Sequence, residues 1–297
     1  MEKRVKTSTN RIRMQRTEWS AYLFIAPMFI GLLLLAFAPM CYSVWASFTE
    51  FSTLLDTPQG FAGFGNFKTL FEDRLFWMSL GNTFYLMLII PFNMIIGFLV
   101  AYALNNKDLK GRVFFRVLYY LPAVSSTIAI GIVWRWIFDA NDGLLNALLG
   151  LNINWLEDPS IVKNSLMIKS VWGSLGGNML MYLAAISGID TGIYEAAEID
   201  GAKTIDKIFR ITLPLCKSIT AYMLTTAIIG GMNSFADNYV IVSNDSSTTI
   251  VYYMYKLLRG DGGYGVMSAC AMCISGIVFI FTIIQFRLNG IIKKKGE

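Results

Sequence analysis

Six stretches of this chain run for about 18 residues or more without one Asp, Glu, Lys or Arg: residues 19–49, 75–106, 117–134, 170–189, 218–236 and 262–286. At ~1.5 Å per residue each is long enough to cross a hydrocarbon core of roughly 30 Å as a helix. The pattern predicts an all-α, polytopic membrane protein with six transmembrane helices, its ionisable residues gathered at their ends. The fourth helix has room to begin earlier, because Leu166, Met167 and Ile168 are apolar and only Lys169 separates them from Ser170. A lysine near a membrane boundary snorkels to water. Pro27, Pro39, Pro91 and Pro122 lie within or beside the runs, where each removes a backbone donor and permits a kink. Such kinks serve either as hinges or as fixed packing features.

Lys3, Arg4, Lys6, Arg11, Arg13 and Arg16 precede the first run, and Ala36-Phe37-Ala38 resembles a signal-peptidase site. A cleaved signal carries an apolar region of roughly 7 to 15 residues, whereas this one continues past Ala38 through Val44 and Trp45. A retained anchor helix is expected. With the N-terminus inside the cell, 18 of the 25 Lys and Arg fall on the cytoplasmic side, which is the side that basic loops favour. The expected organisation is a basic tail over residues 1–18, a transmembrane domain over 19–289 and a basic tail over 290–297, both tails cytoplasmic.

Composition agrees with a membrane bundle: 55% of residues are hydrophobic and 15% charged, against roughly 25% charged in soluble domains. The chain has no histidine, the commonest general base, and no G-x-x-x-x-G-K-[ST] phosphate loop. It is not expected to hydrolyse ATP, bind a cofactor or metal, or engage nucleic acid. Cys270 and Cys273 form a C-x-x-C inside the sixth run, where small polarizable side chains packing between helices explain them without redox or metal chemistry.

The connection between the fourth and fifth runs, residues 190–217, carries nine charges. At ~2.5 to 3.5 kcal/mol per charge at a bilayer centre it cannot be a span. Residues 194–199 favour a short helix, Gly201 permits a tight turn, and Thr204 is placed to cap a second helix. Ile205, Ile208 and Phe209 have the spacing of one apolar stripe. Pro214 disfavours continuation of that helix into the fifth span.

Glu195-Ala196-Ala197, Gly201, Ile211 and Leu213-Pro214 match an E-A-A, three residues, G, nine residues, I-x-L-P pattern. At these residues the chain resembles the inner-membrane permeases of binding-protein-dependent ABC importers. Phe64-Gly65-Asn66-Phe67, Phe115-Arg116, Leu121-Pro122, Val133-Trp134, Gly143-Leu144-Leu145-Asn146 and Val171-Trp172 extend the similarity to the carbohydrate-uptake branch, of the maltose and oligosaccharide, first-permease type. The resemblance implies a bacterial inner-membrane subunit working with a second homologous permease, two ATPase subunits that hold ATP and Mg, and an extracytoplasmic sugar-binding protein. It also implies that Glu195, Ala196, Ala197, Gly201, Ile205, Ile208 and Phe209 form the coupling segment gripped by an ATPase. The bland alternative is an amphipathic segment resting on lipid headgroups.

Carrying the maltose-type pocket over by ungapped counting gives Ala123 and Thr127 on the third helix, Ser170, Gly173 and Ser174 on the fourth, and Gly231 and Ser234 on the fifth. Ala123 stands where that pocket has an aromatic, and Gly231 where it has an asparagine; Asn178 and Asn233 lie close enough to take over hydrogen bonding. Ser, Gly and Asn in membrane helices equally well mediate helix packing. Residues 243–249, Ser-Asn-Asp-Ser-Ser-Thr-Thr, stand where the family often has Gly-Gly-Pro. The solute implied is an oligosaccharide or disaccharide, with a glycerol phosphate derivative as the alternative. A secondary transporter is disfavoured by the lack of a charge inside the runs.

Overall fold

In the computed structural model, which describes residues 11–51, 58–106, 108–242, 244–260 and 263–288, the apolar runs are helical. Lys3, Arg4, Lys6, Lys107, Ser243 and the basic stretch 290–297 lie outside the described residues. The chain runs through α1 (Ala21–Ser47), α2 (Gly65–Glu72), α3 (Arg74–Asn105), α4 (Arg112–Val124), α5 (Thr127–Ile137), α6 (Leu144–Leu149) and α7 (Val162–Ser187). It continues through α8 (Thr191–Ile199), α9 (Thr204–Leu215), α10 (Lys217–Met232), α11 (Ala236–Val240), α12 (Ile250–Arg259) and α13 (Tyr264–Leu288).

Among these, α1, α3 and α13 are straight enough, long enough and apolar enough to cross a membrane. Two bent pairs of helices are apolar enough to do so only when each pair is taken together. The third run, expected as one helix, turns through 99° between α4 and α5. Pro122 has no amide hydrogen to give its helix, and Ser125 and Ser126 adopt extended backbone angles, Ser126 then accepting from the Ala129 amide to start α5. Between α9 and the α10–α11 segment the chain bends by 67°, two residues after Pro214, as the proline's position anticipated. Helix α7 is 26 residues long, but its glycines, serines and Asn178 dilute its hydropathy below that of the other spans. It packs along α3 and α4.

The core follows from that placement. Met94, Phe98, Ala101 and Leu104 of α3 pack on Met179, Tyr182, Leu183 and Ile186 of α7, with Cys216 and Met223 closing the cluster. A second cluster joins Leu70, Phe76, Met232, Ile250 and Tyr253 to Val266, Ala269, Cys270 and Ile274 of α13, and Cys273 packs against it. Small residues let α7 approach its neighbours closely. A Cβ added at Gly97 would sit 2.4 Å from Asn178 Cβ, and one at Gly176 would sit 2.3 Å from the Tyr119 carbonyl oxygen of α4. The second obstacle is backbone and cannot rotate away. Gly176→Ala is therefore expected to cost about 1–3 kcal/mol by overpacking, read as a lower thermal unfolding midpoint of the detergent-solubilised chain, whereas Gly177→Ala, with nothing within 4 Å of the added carbon, leaves it near wild type.

Candidate functional site

The charged connection folds as two short helices. Asp190 caps α8 by accepting from the Gly192 amide. At its far end Gly201 takes φ +79°, the Ala202 amide donates to the Ala197 carbonyl at 2.9 Å and the Gly201 amide donates to the Glu198 carbonyl at 3.0 Å. Those two bonds make a Schellman cap, and they give the E-A-A, three residues, G spacing a mechanical meaning: the last alanine supplies the carbonyl that the turn closes on. Glu198 then reaches across the turn to an ion pair with Lys207. Tyr194 Oη and Thr212 Oγ1 share a 2.9 Å hydrogen bond, so α8 is tied to the end of the π-helical turn Lys207–Thr212.

Two expectations for this segment are corrected. Lys203, not Thr204, is the residue before α9, and its amide donates to Asp206 at 3.2 Å; Thr204 is the first helical residue. Ile208 does not share an outward face with Ile205 and Phe209, because the π turn rotates it onto the bundle, where it packs against the α3–α7 core. The outward apolar surface is Ile205 and Phe209 together with Ile199, which is 87% exposed. Ile199 was legible as a partner to the stripe only once the turn at Gly201 was known. Glu195, Ala196 and Ala197 lie along α8 on the same projecting unit, and Glu195 and Ala196 are exposed.

A cavity of about 240 Å³ lies among α3, α7, α10 and α11. Of the positions carried over by counting, Ser170, Ser174, Gly231 and Ser234 line it, while Ala123, Thr127 and Gly173 do not; of the two nearby asparagines, Asn178 lines it and Asn233 does not. Thr127 is an exposed first residue of α5, and no atom stands within 4 Å of a Cβ built at Gly173. Asn233 is exposed and spends its amide on the Ile229 carbonyl at 2.8 Å. At Gly231 a Cβ would meet Met87 Cγ at 2.8 Å, so this position also serves close packing of α10 on α3.

Three further lining residues went unnoticed in the sequence: Asn93, Asp237 and Asn238. Asp237 pairs with Lys169, the two side chains 24% and 9% exposed. This corrects the expectation that Lys169 snorkels: the residue lies seven residues into α7 and finds a carboxylate instead of water. A charge inside a bundle of this kind marks a site that repays attention, with its partner named. The signal available in the sequence was Asp237 itself, one residue past the end of the fifth uncharged run.

Two loops outside the cavity lining are ordered by side-chain amides. Asn146 donates to the Ala140 and Ile153 carbonyls at 3.0 and 2.9 Å and accepts from Trp155 Nε1 at 2.8 Å. Asn66 donates to the Ser47 and Thr49 carbonyls. Both belong to short motifs that carried the family resemblance, and both are loop clamps. Beside the first, the amides of Asp142 and Asn141 hold the Asp139 carboxyl below its ordinary pKa.

The family model described as "Binding-protein-dependent transport system inner membrane component" matches residues 93–294. The chain is 33% identical to the probable ABC transporter permease protein YesP of Bacillus subtilis (strain 168), across 93% of this chain and 92% of that protein. It is 32% identical to the arabinooligosaccharides transport system permease protein AraP of the same organism, across 93% and 90%. Among solved structures, a bacterial alginate ABC transporter in complex with an alginate pentasaccharide-bound periplasmic protein superposes with a TM-score of 0.82 at 23% identity, over 97% of this chain and all of its counterpart. At that identity the likeness speaks for the fold.

Proposed function

Since this chain belongs to the inner-membrane components of binding-protein-dependent transport systems, we propose that it forms one half of the channel of an ATP-driven importer for an oligosaccharide or disaccharide. It is a multi-pass permease of the inner membrane and not itself the ATPase. The observation that carries the reading is the segment from Thr191 to Phe209: two short helices set at an angle by a left-handed Gly201, with Ile199, Ile205 and Phe209 exposed beyond the bundle. An isolated apolar knob next to charged residues is the shape that seats in a partner's cleft. We assign that cleft to an ATPase subunit carrying ATP and Mg. The likeness to an arabinooligosaccharide permease supports the choice of solute class.

In this reading the bundle has six spans, counting α1, α3, the α4–α5 pair, α7, the α10–α11 segment and α13. Both tails, 1–18 and 290–297, and the coupling segment within 190–217 face the cytoplasm. A second homologous permease completes the channel, and a loaded extracytoplasmic binding protein docks on the outer loops. The cavity lined by Ser170, Ser174, Asn178, Gly231 and Ser234 belongs to the solute's path. Binding protein engages outside, ATP closes the motor subunits, and their movement is delivered through the turn at Gly201 to α8 and the base of α10.

Co-expression with a cognate ATPase and binding protein, followed by reconstitution into vesicles, tests this. Uptake of radiolabelled oligosaccharide is expected only with ATP, binding protein and ATPase all present. Uptake by the chain without the ATPase would overturn the reading. Labelling of a cysteine placed at Lys294 in intact cells checks the topology, with no reaction expected toward a membrane-impermeant maleimide.

A further inference from the structure

The turn from Lys207 to Thr212 is wider than an α-turn: the Leu213 amide, just past it, donates to the Ile208 carbonyl five residues back. A proline ring crowds the carbonyl four residues before it, here that of Arg210, and the wider turn eases that contact. Thr212 is fully buried, and its hydroxyl donates to the Lys207 carbonyl, also five residues back, at 3.0 Å. In the ordinary helical turns of this chain the hydroxyls of Thr83, Thr220 and Thr225 reach four residues back instead. Because a hydroxyl has one hydrogen and a carbonyl only accepts, the 2.9 Å contact with Tyr194 is Tyr194 Oη donating to Thr212 Oγ1. Tyr194 and Glu198 stand four residues apart on α8 and so share a face. Glu198 pairs with Lys207, so α8 holds the π turn at both ends, while Ile208 and Cys216 seat it in the α3–α7 core.

We propose that Thr212 is a positioning residue of the coupling to the ATPase: with Tyr194 donating to it, its hydroxyl keeps Lys207–Thr212 in the five-residue form, so that a push on α8 reaches α10 through a turn that does not rewind. Rewinding to the α pattern would take about one residue out of the turn and swing everything beyond it by roughly 100° and 1.5 Å relative to α8. A stroke absorbed in that swing is lost to the bundle. Single π turns inside helices recur at functional sites, and this one lies between the exposed apolar knob of Ile199, Ile205 and Phe209 and the base of α10. Thr212 does not line the solute cavity, so removing its hydroxyl leaves the contacts there alone. The proposal rests on the coupling reading above and assigns one hydroxyl the task of keeping its linkage stiff.

The test uses the complete transporter in vesicles, with its ATPase and binding protein, offered radiolabelled arabino-, xylo- and malto-oligosaccharides. Two ratios are read: solute taken up per ATP hydrolysed, and ATP hydrolysis with binding protein over hydrolysis without it. Fewer intact assemblies lower both sides of each ratio together, so a merely structural loss moves neither. Thr212→Val keeps the shape and removes the hydroxyl, Thr212→Ser keeps the hydroxyl, and Tyr194→Phe removes only its donor. Both ratios are expected to fall about fivefold in Thr212→Val, the factor that one net hydrogen bond is worth in an equilibrium, to fall less in Tyr194→Phe and to recover in Thr212→Ser. Wild-type ratios in Thr212→Val overturn the proposal, as does a serine variant as poor as the valine one, which would assign the position to packing of the methyl group. If Thr212→Val fails to accumulate, Tyr194→Phe decides: lowered ratios uphold the role of Thr212 and wild-type ratios overturn it. If wild type carries none of the three saccharides, the carbohydrate reading falls and the hydrolysis ratio alone decides for or against Thr212. Gly201→Pro keeps the two failures apart. Normal transport in that variant removes the coupling segment and Thr212 with it, whereas lost transport there beside an unaffected Thr212→Val overturns the role of Thr212 alone.

Discussion

Gly201→Pro is expected to abolish ATP-driven uptake, by at least about tenfold, in a chain that still inserts and accumulates in the membrane. Gly201 sits at φ +79°, on the opposite side of the backbone map from the roughly −65° that proline imposes. The substitution also removes the amide that closes the turn on the Glu198 carbonyl, and it disfavours the helical conformation of Asp200 before it. The Schellman cap cannot form, so α9 leaves α8 in a different direction and the Glu198–Lys207 pair across the turn is lost. Nothing lies within 4 Å of the position where a side chain would begin, so the bundle has no steric quarrel with the change. The damage is one of direction.

A graded series separates that cause from general disruption. Gly201→Ala pays the left-handed penalty of about 1–2 kcal/mol while keeping the amide, so uptake is expected to fall partway. Gly201→Asn pays less, because asparagine tolerates this region, and stays near wild type. Uptake and binding-protein-stimulated ATP hydrolysis measured in the same vesicles should fall in the order Asn, Ala, Pro. A proline variant that transports normally would remove the coupling role from this segment.

What the sequence disclosed and what it concealed divide along physical lines. Long uncharged runs and the helix–glycine–helix signal are local, so the all-helical membrane fold and the turn at Gly201 were legible. The bend between α4 and α5 was less so: Pro122 announced it, but hydropathy runs evenly across Ser125 and Ser126. The inward turn of Ile208 was hidden because the stripe assumed 3.6 residues per turn and the chain uses a π turn there. Lys169 was read as a boundary lysine because its partner, Asp237, is 68 residues away; a one-dimensional pattern shows a charge but not what neutralises it. Asn93 and Asn238 belong to the same class, since only the assembled bundle brings them to one cavity.

The Lys169–Asp237 pair supports the largest stability effects expected in the molecule. Removing one member of a buried pair strands the other, at about 3–5 kcal/mol, whereas replacing both with apolar residues of similar size is close to neutral. Lys169 is the more enclosed of the two, so an orphaned ammonium is worse than an orphaned carboxylate that water partly reaches. Asp237→Leu should therefore lower the unfolding midpoint of the solubilised chain more than Lys169→Met, and the double variant should recover to near the wild-type midpoint. Additive losses in the double variant would show that the two charges do not act as a pair. The same double variant separates stability from solute handling, because it restores the packing between α7 and α11 without restoring the carboxylate to the cavity. A well-folded double variant is accordingly expected to take up less oligosaccharide per ATP hydrolysed than wild type; one that matches wild type on both counts would make the pair a purely structural clamp.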